Sequence, residues 1–204
     1  MPPVVSDQYK QEKKAAILKS AFECFAEKGF QVATIDDIVA HSKISKGAIY
    51  NYFSSKDDIY LELMNQQTNE NISNLKHQLE KLSCTKDKLD YIFKLYSQLN
   101  EQPQFANSTR VHIEFWLYST RKEDLRELML DRYDMYKNLF KTILVEGIKK
   151  GEISSGVNAD EIAQIFWGLI DGISLHYSML LDQYPYKQVY NEMKELIYSK
   201  LDMK

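Results

Sequence analysis

The chain has 204 residues, 44% of them hydrophobic and 27% charged, with a net charge of −3; this mixture excludes an extended disordered chain and predicts a soluble globular protein long enough for a sizeable core. No apolar run approaches the roughly 18 residues needed to span a bilayer, and the N-terminus lacks the basic-then-apolar order of a secretory signal, so a cytoplasmic protein with no membrane partner is expected. Only seven glycines and four prolines occur, two of the prolines in "MPP", which predicts an all-α fold.

The first helix is expected from Ser6/Asp7, either of which can cap it, with Ile17, Leu18, Ala21, Phe22 and Phe25 on one face. It should stop at "EKGF", where Gly29 suits the left-handed position after a helix. Thr34 then caps a short helix, with Asp37 three residues on in a capping-box arrangement and Ile35, Ile38 and Val39 turned inward. "HSKIS" reads as a turn plugged by Ile44, followed by a second short helix from about Lys46 to Tyr52. Ser55, with Asp58 three positions later, opens a long helix. Further helices are expected at about 56–82, 86–101, 105–119, 123–150, 158–182 and 186–202, about nine in all, separated by turn formers or proline. Cys24 and Cys84 share no CxxC or framework spacing and read as two reduced thiols.

Helices as short as those after Thr34 and Ser45 are marginal in water by themselves. A short helix, a tight turn, a second short helix and a longer exit helix make a helix-turn-helix, whose second helix enters the major groove of double-stranded DNA. "SKGAIYNYFSSK" meets the requirements of that helix. Ile49 and Phe53 can anchor inward, Gly47 permits close approach, and Lys46, Ala48, Tyr50, Asn51 and Tyr52 remain for the outer faces. Lys56 can reach a phosphate as a point charge, and Thr34 with its neighbouring backbone N–H groups offers a second phosphate clamp. Charge agrees: eight lysines stand against six carboxylates through Lys56, and 18 basic against 23 acidic residues beyond it. A basic head on an acidic body is the polarity expected where the head meets a polyanion.

The stretch "FAEKGFQVATIDDIVAHSKISKGAIYNYFSSKDDIYLEL" resembles the N-terminal domain of TetR-type (tetracycline-repressor-like) bacterial regulators, with Phe25, Gly29, Phe30, Thr34, Ile38, Gly47, Ile49, Tyr50, Tyr52, Phe53, Lys56 and Leu61 at the family's motif positions. The motif covers about the first quarter of the chain, and length and helix count extend the likeness over the rest. The resemblance implies a helix-turn-helix DNA-binding domain at 1–55 and a helical ligand-binding and dimerisation bundle at 56–204. It implies phosphate contacts from Thr34, Tyr50, Tyr52 and Lys56, and groove or base contacts from Asp36, Lys46, Ala48 and Asn51. Asn favours adenine, Lys guanine, and the Ala methyl a thymine methyl. Asp36 has a second reading, as a carboxylate that simply favours its helix N-terminus.

Beyond residue 90 lie 17 of the 25 aromatic residues, including both tryptophans. "HIEFWLYS", "LDRYDMYKNLF" and "AQIFWGLIDGISLHYSML" carry aromatics and methionines on more than one face, which points to an adaptable small-molecule cavity. Candidate effector contacts are Tyr96, Phe115, Trp116, Met129, Tyr133 and Phe166; His112 and His176 could hydrogen-bond a ligand, although a structural role suits them better. After Asn158, Phe166, Leu169, Ile173 and Leu180 form one stripe and Trp167, Ile170, Ser174, Tyr177 and Leu181 a second, so one is left for a partner. With Tyr190, Met193 and Ile197 of the last helix, Trp167, Ser174, Tyr177 and Leu181 are the expected homodimer face.

The chain lacks GxSxG, HExxH, a P-loop, GxGxxG and any E-x-x-H pair, so no enzyme, cofactor or metal site is expected. The expected function is a ligand-responsive repressor that binds a pseudo-palindromic operator as a dimer and is released by an inducer. The alternative is a sequence-specific DNA-binding protein without a small-molecule inducer, controlled by a protein partner.

Overall fold

The computed structural model describes residues 6–203, and among them every regular element is helical: nine α-helices and two short 3-10 turns, with no strand. The chain divides into two compact units between Glu70 and Asn71.

The first unit holds α1 (Asp7–Lys28), α2 (Ile35–Ser42), α3 (Lys46–Tyr50) and the first part of α4 (Lys56–Leu79). Ser6 caps α1, its Oγ accepting from the Tyr9 N–H at 3.3 Å. Ile17, Leu18, Ala21, Cys24 and Phe25 form the buried stripe at helical spacing, which omits Phe22 but otherwise follows the sequence pattern. Gly29 ends α1 with φ 81° and ψ 155°. That is an extended conformation of positive φ rather than the left-handed helical one expected, and it is accessible essentially to glycine alone. Phe25, Phe30 and Tyr60 pack as three rings with centroids 5.2–5.7 Å apart, and Ile38, Ile49, Phe53 and Ile59 complete the core. Ile44 is buried in the turn, as its place in the sequence required.

The α3 helix is shorter than its pattern. The Asn51 N–H reaches Ala48 O (3.3 Å) and the Tyr52 N–H reaches Ile49 O (2.9 Å); these i→i+3 bonds tighten the chain into a turn. The turn delivers Phe53 to the core just before the start of α4, where the Asp58 N–H donates to Ser55 Oγ at 3.0 Å and Asp58 accepts back from Ser54.

The second unit holds the rest of α4, α5 (Thr85–Ser97), α6 (Phe105–Ser119), α7 (Glu123–Lys150), α8 (Ala159–Leu180) and α9 (Tyr186–Leu201). The α6 and α7 helices have the expected limits. The α5 and α8 helices stop short, because the chain tightens into 3-10 turns at Leu99–Glu101, ahead of Pro103, and at Leu181–Gln183, ahead of Pro185. Asn158 caps α8 through the Asp160 and Glu161 N–H groups. The core is aromatic and aliphatic: Phe140 stacks on Phe166 at 4.1 Å, and Phe93, Leu144, Ile173, Tyr190, Ile197 and Leu201 surround them. Cys24 and Cys84 are free thiols. Among the described residues no helix is long and apolar enough to cross a membrane, and no three metal-ligating side chains are grouped.

Candidate functional site

Thr34 sets the first half of the surface expected to face DNA. Its Oγ1 accepts from the Asp37 N–H (3.2 Å) and donates to Asp37 Oδ2 (2.7 Å), while the Thr34 N–H donates to the same carboxylate oxygen (2.9 Å). Lys28 adds a 2.6 Å ion pair, and these partners, Lys28 first, hold the Asp37 carboxyl far below its ordinary range. The start of α2 is therefore pinned by one carboxylate that serves two helices.

Ser45 caps α3 by accepting from the Ala48 N–H at 3.3 Å. With Ile49 fully buried, α3 can turn only one way, and Lys46, Gly47, Tyr50 and Asn51 are left exposed with Ala48 and Tyr52 half-buried beside them. A Cβ built on Gly47 would meet nothing within 4 Å. No packing inside the chain therefore requires glycine there, which agrees with a surface that something outside approaches closely. Lys43, in the turn before α3 at φ 57°, is an exposed cation that the motif did not single out.

Two expected contacts take a different form. Asp36 and Lys46 lie ten residues apart and pair with each other at 2.8 Å, so the two residues expected at base edges neutralise one another in the DNA-free chain; this bond first of all raises the Lys46 pKa. Lys56 is engaged within the chain. Its ammonium donates to three backbone carbonyls, Phe30 O (2.6 Å), Ala33 O (2.9 Å) and Gln31 O (3.2 Å), and lies 4.6 Å from the centroid of the Phe30 ring. An ammonium has three N–H donors, and these contacts hold the loop between α1 and α2. Lys56 thus shapes the surface from behind; in this state it is not a free charge for a phosphate.

In the second unit the expected effector residues separate. Tyr96, Phe166 and Trp167 meet ring to ring, Tyr96 to Phe166 at 6.0 Å and to Trp167 at 5.4 Å. Phe115 and Met129 are buried outside that cluster, Tyr133 is half-buried, and Trp116 is 38% exposed with its ring 6.0 Å from His112. Beside the aromatic residues stand polar ones: His112 on α6, already considered from the sequence, and Arg132 and Tyr136 on α7 and Asp171 on α8, which the sequence reading did not single out. Arg132 Nη1 stands 3.4 Å from His112 Nε2, and its guanidinium lies over the Tyr136 ring at 5.4 Å. Burial first, then Arg132, lowers the His112 pKa to about 3, so the ring is neutral. Arg132 can only donate; Nε2 accepts, and the proton sits on Nδ1, which is buried with no hydrogen-bond partner. The Trp167 indole N–H is likewise buried without an acceptor. His176, the other histidine considered, is exposed against Tyr184. The available signal for Asp171 was its place in "WGLIDGI", a lone charge four residues after Trp167 in an apolar helix.

The expected partner face is also corrected. Ser174, Tyr190, Met193 and Ile197 are buried within the chain itself, and Trp167 and Tyr177 are packed against the same core; of the seven residues only Leu181 is exposed. The α9 helix has one apolar stripe, and its own unit covers it. Apolar residues left outside include Ile165 (50% exposed), Leu169, Leu175, Met179 (67%) and Leu180 on α8 and Leu196 (61%) on α9. Helical spacing sets Gly168 and Gly172 on the same side of α8, where an added Cβ would meet nothing within 4 Å.

Comparison with known proteins follows the same division. Residues 17–63 match the model of the bacterial regulatory proteins of the tetR family, and residues 89–188 match a tetracyclin repressor-like C-terminal domain. The HTH-type transcriptional regulator YfiR of Bacillus subtilis is 29% identical over 173 residues, 85% of this chain and 83% of that one. The fatty acid metabolism regulator protein of the same organism is 26% identical over 191 residues, 93% of this chain and 96% of the relative. The crystal structure of FadR from Bacillus subtilis in complex with stearoyl-CoA superposes with a TM-score of 0.74 at 25% identity, covering 91% of this chain and 98% of that chain.

Proposed function

The chain belongs to the tetR family of bacterial regulatory proteins, and from that premise we propose that it is a repressor that binds a pseudo-palindromic operator as a homodimer and leaves it when a small-molecule effector enters the bundle of residues 56–204. The observation that carries the DNA half is α3: buried Ile49 holds a five-residue helix whose Lys46, Gly47, Tyr50 and Asn51 face outward. Thr34, Tyr50 and Tyr52 take phosphates, and Ala48, Asn51 and Lys46 read base edges once Lys46 leaves Asp36. The observation that supports the effector half is polar: Arg132 reaches His112 at 3.4 Å and lies over Tyr136, whose ring packs 5.3 Å from Trp167, in a bundle that a purely structural role would fill with aliphatic side chains. The FadR relative is described in complex with stearoyl-CoA, so a small-molecule ligand has a precedent at comparable length.

For the dimer, the α8 face of Ile165, Leu169 and Met179, with its two glycines, replaces the face expected from the sequence. Helices approach closely where glycine removes the side chain, and a twofold interface presents the same patch from each copy. The α4 helix contributes Ile59 and Leu63 to the first unit's core and Leu75 and Leu79 to the second's, so an effector that shifts α4 alters the presentation of α3. The test is to select duplexes from a random pool, then measure affinity for the selected operator with and without candidate effectors. A selected site with two half-sites, weakened by an effector, supports the reading. A site that no bound effector weakens leaves a DNA-binding protein controlled in another way.

A further inference from the structure

From Lys28 to Lys56, every lysine except one is engaged within the chain. Lys28 pairs with Asp37 at 2.6 Å, Lys46 pairs with Asp36 at 2.8 Å, and Lys56 donates to the carbonyls of Phe30, Gln31 and Ala33. Lys43 is the exception: its side chain is exposed, and among the described residues no hydrogen bond or ion pair reaches its ammonium. It stands in the turn between α2 and α3, which is pinned on both sides. The Lys43 N–H donates to Val39 O at 2.9 Å and closes α2, while the Ile44 N–H donates to Ser42 Oγ at 3.1 Å and the Ile44 side chain is buried. The Lys43 backbone is left-handed, with φ 57° and ψ 20°. Glycine, or less often asparagine, is the ordinary occupant of that conformation after a helix, and other L residues are strained in it. Among the described residues of the first unit, Lys43 is the one non-glycine residue at positive φ. Backbone conformation therefore selects against lysine here. What favours it inside the chain is the dipole of the eight-residue α2, weakened by water at an exposed helix end.

We propose that Lys43 is a phosphate contact of the DNA-binding surface, and the one whose charge is available before any bond inside the chain is broken. In a helix-turn-helix the first helix crosses the DNA backbone and the N-terminal residues of the second enter the groove. The turn that joins them runs beside the phosphates at the groove edge, within reach of a lysine side chain. A lysine there neutralises a phosphate as a point charge and carries no sequence information. Lys46 must leave Asp36, and Lys56 its three carbonyls, to do the same. Lys43 has no such bond to give up, so it acts from the first, non-specific encounter onward. The left-handed strain is tolerated because the charge is needed at that place. This role rests on the DNA-binding reading above.

The test uses the full-length protein with a random-sequence duplex and with the selected operator, over a salt series. Lys43→Gly places the favoured residue at φ 57°, so its thermal midpoint should equal or exceed that of the parent. Its affinity should nevertheless fall on both duplexes alike, by about fivefold or more per bound chain at about 0.1 M salt, with the log–log salt slope flatter by about one. Lys43→Asn, which also tolerates the left-handed conformation, should lose the same affinity. Lys43→Arg, which keeps the charge, should retain both affinity and slope. A merely structural lysine gives the opposite pattern: a lower midpoint in Lys43→Gly and an unchanged slope. That pattern overturns the proposal, as does a loss confined to the operator or an equal loss in Lys43→Arg. Parent protein that binds neither duplex sinks the DNA-binding reading and this role with it. Salt-dependent binding by the parent that all three variants share unchanged removes Lys43 alone.

Discussion

In the first unit Thr34, Ser45 and Ser55 each satisfy a helix N-terminus within three residues of themselves, and the residues proposed to meet DNA, such as Lys46, Tyr50 and Asn51, are exposed. In the second unit His112, Arg132 and Asp171 come from α6, α7 and α8, up to 59 positions apart in the sequence numbering, and the polar chemistry is inside. The contrast shows two ways of presenting function. A surface can be aimed by caps and one buried anchor such as Ile49, because water solvates whatever the surface exposes. An interior site needs the whole bundle to hold polar groups away from water, and the bundle is destabilised for it.

The largest effect is expected in the shared aromatic packing of the second unit. Phe166→Ala removes a fully buried ring stacked on Phe140 and should destabilise by about 3–5 kcal/mol. Urea unfolding should show the loss, and effector binding should vanish with it. Retained effector affinity would separate the site from the aromatic core and break the comparison on the interior side.

Next comes Lys56→Met, which leaves three carbonyls without the ammonium. Loss of hydrogen bonds to a charged group is worth about 1.5–3 kcal/mol, so thermal unfolding of the first unit should move down and operator affinity should fall across all sequences. If the unfolding midpoint is unchanged while the log–log salt slope flattens by about one, Lys56 is a phosphate contact after all.

Asp171→Asn should do the reverse of a core mutation. The folded pKa is raised above the unfolded value, from 3.8 to about 6. Stability linked to this group is fully present below about pH 4 and is lost as pH rises through 6. The amide removes that loss, so the variant should exceed the parent by about 1–3 kcal/mol above pH 7 and converge with it near pH 4. His112 runs in the opposite sense, its depressed pKa removing stability as pH falls from 6.5 toward 3, but it is common to both proteins and cancels in the difference. A variant less stable at every pH would mean that Asp171 supports the fold, and the interior site would lose its rationale.

The smallest effect concerns the Asp36–Lys46 pair on the surface proposed to face DNA. Asp36→Ala frees the Lys46 ammonium held at 2.8 Å. Binding to non-specific duplex should strengthen at low salt, with the salt slope steeper by about one and the unfolding midpoint unmoved. An unchanged slope would place Asp36 in the helix-terminus role that its position after Thr34 also allows.

What the sequence determined by itself was local. Caps, turns and apolar spacing set α1, α2, α6 and α7 nearly to the residue, and Thr34 with Asp37 formed the capping box on both sides, because these depend on groups three or four positions apart. The turn after Tyr50, the triple carbonyl clamp of Lys56 and the Asp36–Lys46 pair depended on chain segments meeting. The tertiary structure also decided which apolar stripe is inside. Periodicity marks a face as apolar without saying what covers it; Tyr190, Met193 and Ile197 went to the chain's own core while Ile165 and Met179 stayed exposed. Arg132 shows the same limit: its place beside His112 and over the Tyr136 ring joins residues of α6 and α7 that only packing brings together.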